Sequence, residues 1–194
     1  MKKNFIRILF VGIFAFSTLS FISCGNKASN NDKDDKDNVE TEESKNYFSS
    51  KDGMFKANFP GQPTQESQMV QTDVGKIEMF TFTYERSATE VYMIAYSDYP
   101  SSSIDKQDEM ELLKSAKDGA LGGNIVESNK EMKVNGWPAI RSKAIDKQSN
   151  TYYIYEVILA KNRLYQVFMI RNGSYCSDES VKDFLDTFII TMKK

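Results

Sequence analysis

Chemistry at neutral pH usually begins with a histidine or an activated thiol, and this chain of 194 residues has no histidine and only two cysteines, Cys24 and Cys176. Without imidazole the commonest general base and metal ligand are missing, so Ser-His-Asp and Cys-His nucleophile systems are excluded. Two thiols alone do not complete a tetrahedral zinc site. Asp and Glu are plentiful at 27 together, but no pair is marked out by spacing as the two carboxylates of a glycosidase-type reaction. No catalytic residue, metal site or cofactor is therefore assigned. The net charge of −2 argues against nucleic acid as a partner, which selects a basic excess.

The two thiols differ in context. Cys24 follows "MKKNFIR", a basic segment, and "ILFVGIFAFSTLSFI", an apolar run shorter than the roughly 20 residues that span a bilayer as a helix. Charge, grease and a small residue, in that order, make a secretory signal. "FISC" resembles the lipobox of bacterial lipoproteins, with Phe21 where Leu is usual. The resemblance implies cleavage after Ser23 and lipidation of Cys24 by diacylglycerol, with a further palmitate-type chain on the new N-terminus. Each buried CH₂ contributes about 0.8 kcal/mol, so two or more chains anchor stably where one does not. Gly25 after the cysteine is not the Asp of the inner-membrane retention signal, which favours the outer membrane. Removing Lys2, Lys3 and Arg7 with residues 1–23 takes the net charge from −2 to −5.

Residues 24–45 continue as "CGNKASNNDKDDKDNVETEESK", seven acids against four lysines with no aromatic. Such a segment cannot bury enough surface to fold and is expected to be an extended tether. An EF-hand register from Asp32 fails, because Lys36 takes position 5 and Asp37 stands where glycine must turn the loop. Acids after a lipidated cysteine also resemble surface-export signals, but here they begin eight residues on, at Asp32.

The elements of a folded domain, residues 46–194, become readable next. "YFSSKDGMFKANFP" reads as two short strands about Asp52-Gly53, a pair that supplies positive φ. "QESQMVQT", "KIEMFTFTYE" and "EVYMIAYSDYP" alternate as strands of a meander. In "SSIDKQDEMELLKSAKDGALGG", Met110, Leu113, Ala116 and Ala120 fall on one helical face, and the glycines of "ALGG" close the helix rather than cradle a phosphate. Four strands follow in two hairpins, turning at Asn135-Gly136 and Lys161-Asn162. A helix capped by Ser177 then carries Val181, Phe184, Leu185 and Phe188 on one stripe, and "IITM" makes a short last strand. The class is α+β, a large antiparallel sheet flanked by helices.

The ordered set "YFSSKDGMFKANFPGQP", "EVYMIAYSDYP", "NGWPAIRSKAI", "YYIYEVILAKNRLYQVFMI" and "FLDTFII" resembles PsbP-like domains over residues 46–194. That resemblance implies an antiparallel sheet sandwiched by helices, an α/β/α arrangement. The family includes the lumenal PsbP subunit of the photosynthetic oxygen-evolving complex, a nuclear factor that binds the Ran GTPase, and bacterial lipoproteins. It brings no shared catalytic residues, and fold alone assigns no function.

Candidate contact residues remain. Trp137, the one tryptophan, sits on a hairpin shoulder, where it either anchors a partner or packs on the sheet. Tyr152, Tyr153, Tyr155 and Tyr165 crowd one hairpin, as interface tyrosines or as cross-strand pairs. Lys143, Lys147, Lys161, Arg163 and Arg171 read as a solvated basic face. With Cys24 acylated, Cys176 has no disulfide partner. A helix N-terminus beside it could lower its pKa, but with no histidine to activate it the expected state is an inert, partly buried thiol.

The function expected is a non-catalytic binding or assembly module on a bacterial envelope lipoprotein, its partner an envelope protein. A small-ligand carrier with a pocket between the tyrosine-rich sheet and a helix is the alternative, ahead of any enzyme. The face of the membrane stays open. Protease added to intact cells reads it: loss of the domain without lysis places it at the surface, and survival places it in the periplasm.

Overall fold

The computed structural model describes residues 47–194 apart from Asp73 and Lys106. The expected signal peptide (1–23), Cys24 and the tether (24–45) lie outside the described residues. Among those described, seven strands form one antiparallel sheet: β3 (Thr64–Thr72), β4 (Gly75–Ser87), β5 (Glu90–Asp98), β6 (Ile125–Val134), β7 (Trp137–Asp146), β8 (Thr151–Ala160) and β9 (Arg163–Asn172). Their order across the sheet is β3-β4-β5-β9-β8-β7-β6, two meanders that meet where β5 pairs with β9. A second sheet has β2 (Phe55–Ala57) between β1 (Phe48–Ser50) and β10 (Ile189–Ile190). The helices are α1 (Ser101–Ile104), α2 (Glu109–Ala120) and α3 (Asp178–Phe184).

The α+β class and the large antiparallel sheet are as the sequence led us to expect. What covers the sheet is different on one side. Ile94, Ile154, Ile158, Tyr165, Val167 and Met169 line a first face and pack on the small sheet and α3. Ile140, Ala144, Tyr155, Val157 and Leu164 line the second face, under Leu112, Leu113 and Ala116 of α2. The short strands about Asp52-Gly53 and at the C-terminal end form as expected, but their pairing as a separate small sheet was not foreseen, because it joins residues as far apart as Lys56 and Ile189. It fits the first face because β2 presents Phe55 and Ala57, both fully buried. Phe55 meets Phe82 edge-on at 5.1 Å, and Phe48 lies 5.5 Å from the same ring. Such aromatic pairs contribute about 0.5–1.5 kcal/mol beyond area burial.

Polar contacts fasten the small sheet to the large one. Arg163 at the start of β9 donates from Nε and Nη2 to the two carboxylate oxygens of Asp98, at 2.6 and 2.7 Å, and from Nη1 to the Asp52 carbonyl at 2.6 Å. Its guanidinium lies 4.4 Å from the centre of the Tyr96 ring. Arg163 is buried, so the solvated basic face expected there does not include it. The Tyr165 hydroxyl donates to the Gly53 carbonyl at 2.7 Å. The Asp52-Gly53 turn forms, but positive φ falls on the next residue, Met54 (φ 50). Gly53 is needed for space: a Cβ there would lie 2.6 Å from the Phe55 ring and 2.7 Å from Ser50 Oγ.

The helices obey their caps. The expected single helix is broken into α1 and α2, because Asp108 accepts from the backbone N–H of Met110 and Glu111 and so starts a new helix. Gly119 falls inside α2, and Gly123 (φ 87) takes the left-handed position beyond its end. Ser177 caps α3 by accepting from Ser180 N–H at 3.1 Å.

One ion pair is enclosed on the first face. Arg141 Nε donates to Glu156 Oε2 at 2.6 Å and its Nη1 donates to Asp186 Oδ1 at 2.7 Å, tying the segment after α3 to β7 and β8. Glu156 is fully buried and its Oε1 has no hydrogen-bond partner. Burial pushes the Glu156 carboxyl above its ordinary range, and Arg141 opposes that shift without cancelling it. Removing one member of such a pair strands a charge, at about 3–5 kcal/mol, whereas replacing both by apolar groups is often neutral or stabilising. Arg141→Met is therefore expected to lose about 3–5 kcal/mol in urea denaturation, and Arg141→Met/Glu156→Leu to recover most of it.

Candidate functional site

The sequence offers Trp137 and, separately, Tyr152, Tyr153, Tyr155 and Tyr165 either as contact residues or as packing and cross-strand pairs, and the structure places them apart. Tyr155 and Tyr165 have no exposed surface. Inside the protein the Tyr155 hydroxyl donates to Gln166 Oε1 at 2.9 Å, and Tyr165 holds the Gly53 carbonyl. Burial raises both hydroxyls, that of Tyr165 to about 12. They are core residues, because β8 and β9 are the central strands and are covered on both faces.

The other three are half-buried and stand apart. Trp137 packs at the edge of the first-face core with Lys194 Nζ 5.3 Å from its ring centre. Tyr152 meets Tyr175 edge-on at 4.9 Å, and the Tyr175 hydroxyl donates to Glu127 Oε2 at 2.8 Å. That pair links β8 and β6 to the segment after β9. Tyr153 alternates to the second face, beside the α2 core.

Tyr153 marks the feature that sequence reasoning missed. Helix α2 lies over β7 and β8. The α1–α2 connection covers the end of the second face near Leu159 and Leu164, where Tyr99, Ile104, Leu112 and Val74 line an apolar cavity. Farther along, the second face is a shelf of half-buried side chains: Val91 and Met93 on β5, Phe168 and Ile170 on β9, Tyr153 on β8 and Thr83 on β4. The register makes it continuous, with Val91 opposite Ile170, Met93 opposite Phe168, and Tyr153 opposite Ile170. No charged side chain lies within it, and exposed Glu85, opposite Val91, borders it. A signal was available in the runs "EVYMIAY" and "QVFMI", which are apolar at successive positions. An antiparallel strand with one wetted face normally alternates.

Chemically the shelf suits apolar side chains: its polar groups are the Thr83 hydroxyl and the Tyr153 hydroxyl, which burial and then Asp146 push above its ordinary range. The cavity under α1 and α2 has a volume of about 20 Å³, room for one water-sized group. Ligand pockets run to about 300–1,000 Å³. Among the described residues, no group of three or more His, Cys, Asp or Glu is placed to hold a metal ion.

Cys176 is buried just before the Ser177 cap. Its thiol is pushed up to about 11 by burial and then by Glu90, against the opposing pull of Arg171 and Arg86. The helix terminus does not make it a thiolate.

Among solved structures, the chain is similar to cyanobacterial PsbP (CyanoP) from Synechocystis sp. PCC 6803, at 12% sequence identity and a TM-score of 0.45, over 74% of this chain and 91% of that one. No family profile and no curated protein matches the chain. The match carries no site or partner with it.

A thiol reagent at pH 8 is expected to label Cys176 slowly in the folded protein and rapidly in denaturant. Equal rates in the two states would show an exposed or activated thiol.

Proposed function

We propose that this chain, similar in fold to PsbP, is a lipid-anchored envelope protein whose folded domain is a non-catalytic module that binds a protein partner on the shelf of its main sheet. The observation that carries the reading is the shelf itself: five half-buried apolar side chains, Val91, Met93, Tyr153, Phe168 and Ile170, gathered on three adjacent strands, with Tyr153 and Phe168 at the margin of the α2 core. Neutral, half-exposed apolar surface on rigid strands suits burial against a complementary apolar surface, and Met and aromatic residues are enriched in such contacts.

The lipid anchor is part of the same reading and rests on the residues about Cys24. In this reading the anchor would hold the domain at the outer membrane of a bacterial envelope, and the shelf is the surface it would offer to a partner. A carrier of small molecules has less support, because the apolar cavity beneath α1 and α2 is about 20 Å³ in volume.

A photoreactive residue at Met93 or Ile170 is expected to form a protein adduct in intact cells that one at Lys130 on β6 does not, and Val91→Lys should abolish it with little change in the urea midpoint. Equal adducts at all three positions, or none at Met93 and Ile170, would overturn the binding face. Cys24→Ser should move the chain out of the membrane fraction with its folding unchanged; persistence in that fraction would overturn the anchor.

A further inference from the structure

The two ends of the main sheet are built differently. At one end, β6 carries Glu127, Lys130, Glu131 and Lys133, and its register with β7 is broken by a bulge between Val126 and Ser128. Charges and bulges are the usual devices that stop an edge strand from pairing with another chain. At the other end, β3 has no bulge and a single charge. Its nine residues, "TQESQMVQT", hold an unbroken register with β4 from Thr64 opposite Thr83 to Thr72 opposite Gly75. They include one charge, Glu66, and no lysine or proline. All but Val70 and Thr72 are exposed, and Met69 keeps 62% of its surface. Among the described residues nothing pairs with the outer side of β3, so the backbone groups directed outward along it lack a strand partner.

An open edge accepts an extended strand of some kind, and this sequence fits itself. Laid antiparallel about a two-fold axis through Gln68, the middle residue of β3, two copies bring Thr64 opposite Thr72, Gln65 opposite Gln71, Glu66 opposite Val70 and Ser67 opposite Met69. Hydroxyl meets hydroxyl, amide meets amide, and the one charge faces an apolar residue, not its own copy. Like charges directly opposite each other would oppose pairing. Any other axis shortens the ladder, and an axis through Glu66 sets carboxylate against carboxylate. A two-fold contact of this kind is self-complementary and closes, so it yields a dimer and not a fibre.

We propose that β3 is an interaction edge for a second copy of this chain, the two main sheets joining antiparallel through Gln68. The axis is normal to the sheet, so the second faces of both copies look to the same side. The inference stands on β3 alone and does not depend on what the shelf binds.

The full chain in detergent, carrying Gln68→Cys, is treated with a short bismaleimide beside the parent chain, which controls for Cys24 and Cys176. The expected result is a band at twice the chain mass that the parent lacks. Gln65→Cys and Gln71→Cys should each give little alone and a strong band when mixed. In sedimentation the parent should be dimeric and Gln68→Lys, which sets two ammonium groups face to face, should weaken dimerisation at least tenfold. A monomeric parent, equal cross-linking of the three variants alone, or cross-linking of Gln68→Cys in cells to a different protein but not to itself would overturn the proposal.

Discussion

Everything in this domain follows from the burial of one hairpin on both sides. From Ile154 to Ala160 every residue of β8 is buried, and so is β9 from Arg163 to Val167. A strand pair with two dry faces cannot sit at a surface. It needs one layer above and another below, and the small sheet with α3 and the helix α2 are those layers. The same constraint sets the terms for polar groups. Tyr155, Glu156, Arg163, Gln166 and Tyr165 must find partners inside, because an unpaired buried polar group costs about 1–3 kcal/mol. They do so by pairing with each other, with Arg141 and Asp98, or with the carbonyls of the Asp52-Gly53 turn, and those pairings bind the layers together.

What the sequence reveals about the fold is what is local. Asn135 (φ 50), Gly136 (φ 84) and Lys161 (φ 56) turn the two hairpins where the residue types led us to expect turns. Ser177 and the stripe Phe184, Leu185 and Phe188 behave as their spacing requires, the three rings and chains being buried. What it conceals is non-local. Nothing in "EVYMIAYSDYP" says that its partner is β9, more than 60 residues on, since either of its faces could meet any apolar strand. The tyrosine hairpin shows the same limit. Tyr152 and Tyr153 reach the surface on opposite faces, and Tyr155 and Tyr165 do not reach it, because alternation gives the face but not what lies on it. The shelf was present in the sequence only as a missing alternation.

In the proposed reading, location and recognition belong to different parts of this chain. The residues around Cys24 carry the argument for a membrane, and a domain anchored there would need no apolar surface to reach it. Apolar side chains left in view on the second face therefore call for a separate explanation. On the proposed reading, Val91, Met93, Tyr153, Phe168 and Ile170, with the threonine and glutamate about them, are the residues that would choose a partner.

The strand by which the described chain begins has a mechanical meaning. β1 is joined to β2 through three residue pairs, at the rim of the smaller sheet, and it is otherwise held by the Phe48 ring lying 5.5–6.1 Å from the rings of Phe55, Phe59 and Phe82. Tension arriving from the residues before it is taken up there first. β2 behind it is secured more firmly, by the Asp52 and Gly53 carbonyls on Arg163 and Tyr165. A pull on the N-terminal side thus meets the three residue pairs of β1 before it reaches the two-sided hairpin and the half-buried shelf.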